Sequence, residues 1–158
     1  MKTGLLPVWR QIGGLRRSVV QSCRMDTDLN VECKVVKPGE LEVEVASGAM
    51  TRLAGVSQAL VGAEGIHLAV ATIPPGCASS PHYHVNCESA IYVLKGKGRF
   101  LTGKRLDNSL VIASGDFIYV PPNSVHQPIN DSLTEPMELI VARNAPVEIV
   151  VEHDPSSE

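Results

Sequence analysis

Turn residues recur through this chain too often for long helices to form. Gly48, Gly55 and Gly62, then Pro74-Pro75-Gly76, Gly96-Lys97-Gly98, Ser114-Gly115-Asp116 and Pro121-Pro122-Asn123 punctuate the sequence. Proline fixes φ and glycine admits positive φ, so each cluster marks a turn. Between them lie short apolar or alternating runs. Leu41, Val43 and Val45 alternate with Glu40, Glu42 and Glu44, the period-two pattern of a half-buried strand. Further strands are expected at 66–73, 82–88, 90–95, 99–102, 110–113, 117–120, 125–129, 137–142 and 147–151, with a hairpin across Gly96-Lys97-Gly98. Residues 47–63 read as turns with a short strand or helical turn near Ser57–Leu60. A turn signal roughly every eight to twelve residues predicts an all-β sandwich or barrel.

The chain has 158 residues, 44% of them hydrophobic, enough for a single domain with its own core. Residues 26–151 are expected to form that domain, with a polar tail at 152–158. Residues 1–25 stand apart: Lys2, Arg10, Arg16, Arg17 and Arg24 fall there, with no acid before Asp26. They read as a disordered basic extension or a non-native start before Met25. The same composition fits an organelle transit segment, the alternative to a cytoplasmic location. The formal net charge of −3 argues against a nucleic-acid footprint. No apolar run approaches the roughly 20 residues of a membrane span. Cys23, Cys33, Cys77 and Cys87 show no C-x-x-C spacing and read as reduced thiols, with Cys87 a packing residue.

Two histidines, His82 and His84, stand one residue apart, and Glu88 follows four positions on. Along a strand, residues i and i+2 share a face, so the two imidazoles converge, and Glu88 has the same parity. His126 follows a second Gly/Pro-punctuated run, residues 115–126. Imidazole nitrogens with one carboxylate suit a divalent transition metal: iron, manganese, nickel, copper or zinc. His67 and His153 read as ordinary core or surface histidines. Tyr83, Tyr92 and Tyr119 lie near the ligands; Tyr92 has the parity of Glu88 and is the weak candidate for proton transfer.

These two segments resemble the motifs of the cupins, small jelly-roll barrels also called double-stranded β-helices. The first motif, G-x5-H-x-H-x3,4-E-x6-G, is met by Gly76, His82, His84, Glu88 and Gly96, with seven residues instead of six before Gly96. A β-bulge would absorb the extra residue. The second, G-x5-P-x-G-x2-H-x3-N, is met by Gly115, Pro121, His126 and Asn130, with Asn123 in place of glycine. Asparagine is the next-best residue at positive φ. The resemblance covers about residues 40–151. It implies an all-β double-stranded β-helix with His82, His84, Glu88 and His126 as metal ligands inside the barrel. It also implies a homodimer, with the strand at Leu41–Val45 as the candidate to cross to the partner. For function it implies an enzyme acting on a small oxygen-bearing metabolite, by dioxygenase-type or lyase/isomerase-type chemistry. A non-catalytic ligand-binding or sensory domain is the alternative.

Overall fold

A computed structural model describes residues 32–45 and 47–157. The basic segment 1–25, with Cys23, lies outside them. The compact unit begins at Lys34. Its strands are β1 (Glu42–Glu44), β2 (Thr51–Val56), β3 (His67–Ile73), β4 (His82–His84), β5 (Ser89–Lys95) and β6 (Lys97–Thr102). They continue with β7 (Asn108–Ala113), β8 (Phe117–Val120), β9 (His126–Asn130), β10 (Met137–Arg143) and β11 (Val150–Glu152). One short helix, α1 (Gln58–Val61), is capped by the Ser57 hydroxyl, which accepts from Leu60 N–H.

The strands form two antiparallel sheets, β1-β2-β3-β10-β5-β8 and β11-β4-β9-β6-β7, the expected double-stranded β-helix. Side chains from both sheets meet in one apolar core. Ile73, Val93, Met137 and Leu139 come from the first, Phe100 and Ile112 from the second.

Three local expectations change. No hairpin joins β5 to β6: the two strands lie in different sheets, and the chain changes sheet at Gly96, where φ is +92°. A Cβ there would meet Met137 Cα at 3.0 Å, so glycine serves both the turn and the close approach. Strand β2 falls where turns were expected. Its buried positions are Arg52 and Ala54, which conceal the alternation, and a register shift opposite Gly55 breaks it further. The last strand begins at Val150, not Val147, so Glu148 sits on an irregular connection after β10. The tail is tied down in part: Glu152 pairs with His82, and His153 N–H donates to Pro81 O at 3.0 Å. Strand β1 pairs with β2 of its own chain.

The inward rows carry a polarity gradient along the barrel. On β10, Met137, Leu139, Val141 and Arg143 are buried in succession. Met137 lies opposite Ile73, whereas Arg143 lies opposite His67 on β3 and Ser89 on β5. One end of the barrel is therefore a hydrocarbon core and the other is lined by buried polar groups. The histidines of β4 and β9 open into that second end.

Candidate metal centre

His82 and His84 are alternate residues of β4, and both are about 5% exposed. His126 opens β9 directly opposite His82 in the ladder and is equally buried. Asn123 holds the preceding turn. Its φ is +61°, as expected for the residue replacing glycine, and its N–H donates to His84 O at 2.7 Å. Asn130 closes the same segment from inside. Its amide donates to Ile73 O, Pro74 O and Glu135 O, so this motif residue is structural. A ligand nitrogen from each of His82, His84 and His126 lies within 4.8 Å of the other two.

The free nitrogens follow from the hydrogen bonds. His82 Nδ1 lies 2.7 Å from Ser80 O, and His126 Nδ1 lies 2.8 Å from Ser124 O. A carbonyl only accepts, so both Nδ1 atoms carry the proton and both Nε2 lone pairs are left free. His84 Nδ1 faces Glu148 Oε2 at 3.0 Å. All three rings thus have an oxygen behind them that orients the imidazole, the arrangement typical of metal-binding histidines. Phe100 lies nearly parallel to the His126 ring, 5.4 Å away between centroids, and fixes its plane. Burial lowers the His82 pKa, against the pull of the Ser80 carbonyl. Burial and then the neighbouring His82 lower that of His126 to about 3. Both rings are therefore neutral, as ligands must be. Metal–nitrogen bonds of about 2.1 Å would set three neighbouring ligand nitrogens roughly 3.0–3.4 Å apart, so the imidazoles would draw together around an ion.

Glu88 does not join this cluster. Strand β4 ends at His84, the chain bends at Val85–Asn86, and alternation restarts with Ser89, Ile91 and Val93 inward. The bend reverses the parity that an unbroken strand would have given. Glu88 faces out, accepting from Tyr119 Oη at 2.7 Å and Asn144 Nδ2 at 3.1 Å. A register irregularity does occur in β5, between Val93 and Lys95, too far downstream to turn Glu88 inward. Ser89 is the residue that lines the histidine cavity. Four residues separate it from His84 and six from Gly96, so both spacings of the first motif point to Ser89 in the glutamate position. Tyr92 shares the outward parity and packs on Phe117, with ring centroids 4.9 Å apart. It does not line the cavity.

The structure adds residues that sequence reasoning passed over. Arg52 and Arg143 line the cavity beside the histidines. Arg52 donates to Glu44 Oε2 through Nη2 at 2.7 Å and also pairs with Glu148 Oε1. Arg143 Nε lies 3.0 Å from Glu148 Oε2. His67, taken as an ordinary histidine, places Nε2 2.6 Å from Glu44 Oε1 and Nδ1 3.4 Å from Arg143 Nη1. Burial pushes the Glu148 carboxyl up, but His84, Arg143 and Arg52 outweigh it and hold the group at about 2. The sequence carried a signal for Arg143, which continues the buried parity of β10 after Val141, but none for Arg52, whose strand was hidden by its own inward arginine and alanine. Glu148 carried no such signal, because it is not on a strand.

Residues 69–143 match the family model of the cupin domain, Cupin_2. The polyketide cyclase RemF of Streptomyces resistomycificus superposes with a TM-score of 0.64 at 18% identity, over 77% of this chain and 85% of that one. A sugar phosphate isomerase from a cupin superfamily, of Silicibacter pomeroyi, gives 0.60 at 18% identity, over 77% and 82%. The oxalate decarboxylase of Lactobacillus farciminis gives 0.61 at 18% identity, over 72% and 34%. No curated protein matches the chain in sequence. Likeness at these identities establishes the fold, and the three reactions named differ from one another. Among the described residues, no helix is long and apolar enough to cross a membrane.

Proposed function

Since the chain is a small member of the cupin superfamily, with its cupin domain at residues 69–143, we propose that it is a metal-dependent enzyme acting on a small oxygen-bearing metabolite. The observation that carries this reading is the shared orientation of His82, His84 and His126. Three buried imidazoles bring ligand nitrogens within 4.8 Å of one another, with carbonyl hydrogen bonds behind His82 and His126 and the Glu148 carboxylate behind His84. Three imidazole nitrogens brought together inside a barrel are the donor set that a divalent transition metal takes. His82, His84 and His126 would hold a divalent transition metal, without Glu88.

When bound, such an ion supplies Lewis-acid polarisation of a substrate oxygen or dioxygen activation. The chain's own residues do the remainder. Glu148 orients His84 from behind. Ile91, Phe100, Leu139 and Val141 form the apolar part of the cavity wall. Ser89 is neutral where the motif would place a carboxylate, so the histidine set itself contributes no negative charge. Within this reading, dioxygenase-type and lyase/isomerase-type reactions both fit.

A non-catalytic ligand-binding role is the second reading. It is favoured by the cavity lining, which besides the histidines offers only Ser89, Arg52 and Arg143 as polar side chains. The discriminating experiment is metal analysis of protein purified without added metal, followed by oxygen uptake and product analysis with small diols, enols and oxo-acids. Absence of bound metal, with a His126→Ala variant unchanged in metal binding and stability, would refute the enzyme reading. Tight metal without turnover would favour the binding role.

A further inference from the structure

Glu148 is a largely buried carboxylate on irregular backbone, tied at its neighbours Val147 and Ile149 to Asn86 and Val85. It lies between β10 and β11, with its side chain 14% exposed. Its partners are mounted on three different strands: Arg52 on β2, Arg143 on β10 and His84 on β4. One oxygen pairs with Arg52, and the other receives both Arg143 Nε and His84 Nδ1 at 3.0 Å. Those two N–H groups are at bonding distance without being aligned on the oxygen, so all three atoms lack a well-formed hydrogen bond. The contact is held by charge more than by geometry.

Space around the histidines is divided at the same place. The inner cavity beside them has a volume of about 30 Å³, room for one or two waters. Two outer recesses of about 310 and 340 Å³ adjoin it. Arg52 lines all three spaces, and Glu148 lines both outer ones. The Arg52–Glu148 pair therefore stands between the first of these recesses and the histidine cavity, while His82 itself also borders the second. Of these groups, Glu148 alone is carried on irregular backbone.

We propose that Glu148 is a built-in occupant of a carboxylate site formed by Arg52 and Arg143, and that a small monocarboxylate ligand displaces it and takes its place beside the histidines. This names the substrate class of the site proposed above and rests on that reading, although the exchange itself requires no metal. Charge selects the ligand. With Glu148 withdrawn, Glu44 is the carboxylate still ion-paired with Arg52, and these three groups carry one net positive charge, with Glu42 and Glu152 farther out on the recess walls. A monocarboxylate restores balance, and its two oxygens can serve two guanidinium groups as those of Glu148 now do. A phosphate dianion would leave an uncompensated negative charge in a buried place.

The test uses the full chain, freed of metal with a chelator, so that failure of metal binding and failure of this exchange are read separately. Titration calorimetry and thermal melting, at a pH well above the second pKa of phosphate so that it is the dianion, compare acetate, its neutral isostere acetamide, and inorganic phosphate. Acetate should bind and raise the melting temperature, and acetamide and phosphate should do neither. Removing the internal competitor with Glu148→Gln should tighten acetate at least about tenfold, the factor expected if Glu148 occupies the arginines nine-tenths of the time. Glu148→Ala guards against poor folding of that variant: acetate, and not acetamide, should bring its melting temperature back toward wild type. Arg52→Gln combined with Glu148→Gln should abolish the acetate response. Equal binding of acetate and acetamide, preference for phosphate, unchanged affinity in Glu148→Gln, or no recovery of Glu148→Ala by acetate would each overturn the proposal.

Discussion

The direction in which each imidazole presents its lone pair is fixed by what stands behind it. Ser80 O and Ser124 O hold the Nδ1 protons of His82 and His126, and the Glu148 carboxylate faces that of His84. Removing that carboxylate would leave the three imidazoles in place but slacken one of them. Glu148→Gln is therefore expected to weaken metal affinity roughly 10–100-fold, the usual effect of losing a partner behind a ligating histidine, as measured by chelator competition. Glu88→Gln should leave metal affinity unchanged. The amide keeps one acceptor oxygen, so at most one of the surface contacts with Tyr119 and Asn144 is lost and stability should change little, as read by denaturant titration. His82, His84 and His126 were readable from their spacing. Glu88 was misplaced because parity was carried through a bend that only backbone geometry reveals. Counting from both glycine and histidine landmarks would have selected Ser89.

Strands inform function here through what their alternation buries. Most were legible, because β3, β5 and β10 carry apolar inward rows in sequences such as 137–142. Strand β2 was not, since its inward residues are arginine and alanine. The supposed hairpin after β5 failed for a different reason. Glycine marks a reversal of direction equally well within one sheet or between two, and only long-range pairing decides which. Gly98 in β6 lies so close to the Ile129 carbonyl of β9 that a Cβ would collide with backbone. Gly98→Ala should accordingly destabilise the protein by roughly 2 kcal/mol or more, seen as a lower denaturant midpoint, whereas Gly65→Ala, with open space around it, should have little effect.

Across the whole molecule, hydrocarbon occupies one end of the barrel and ionisable groups the other. That division makes stability depend on pH in one direction. His126 has a folded pKa of about 3 against an ordinary 6.5, and that of His82 is also lowered. Above pH 6.5 both states are neutral at these positions, and stability is fully present. Below it the unfolded chain takes up the protons first, so stability falls by up to about 1.4 kcal/mol per pH unit for each group. Glu148, at about 2 against an ordinary 4.5, adds a further loss once the pH drops below 4.5. The metal-free protein should therefore melt at progressively lower temperature from about pH 6.5 downward, and more steeply below about pH 4.5. A melting temperature that stayed level between about pH 7 and pH 5 would show that these histidines are not buried neutral groups.

The central claim is that His82, His84 and His126 form one metal site and that Glu88 stands outside it. Metal analysis of the purified chain and four single variants tests it directly. The account predicts one ion per chain in the wild type and in Glu88→Gln, and its loss in each of His82→Ala, His84→Ala and His126→Ala, with the β-rich circular dichroism of all four variants preserved. A wild type without metal, or loss of the ion in Glu88→Gln, would contradict it.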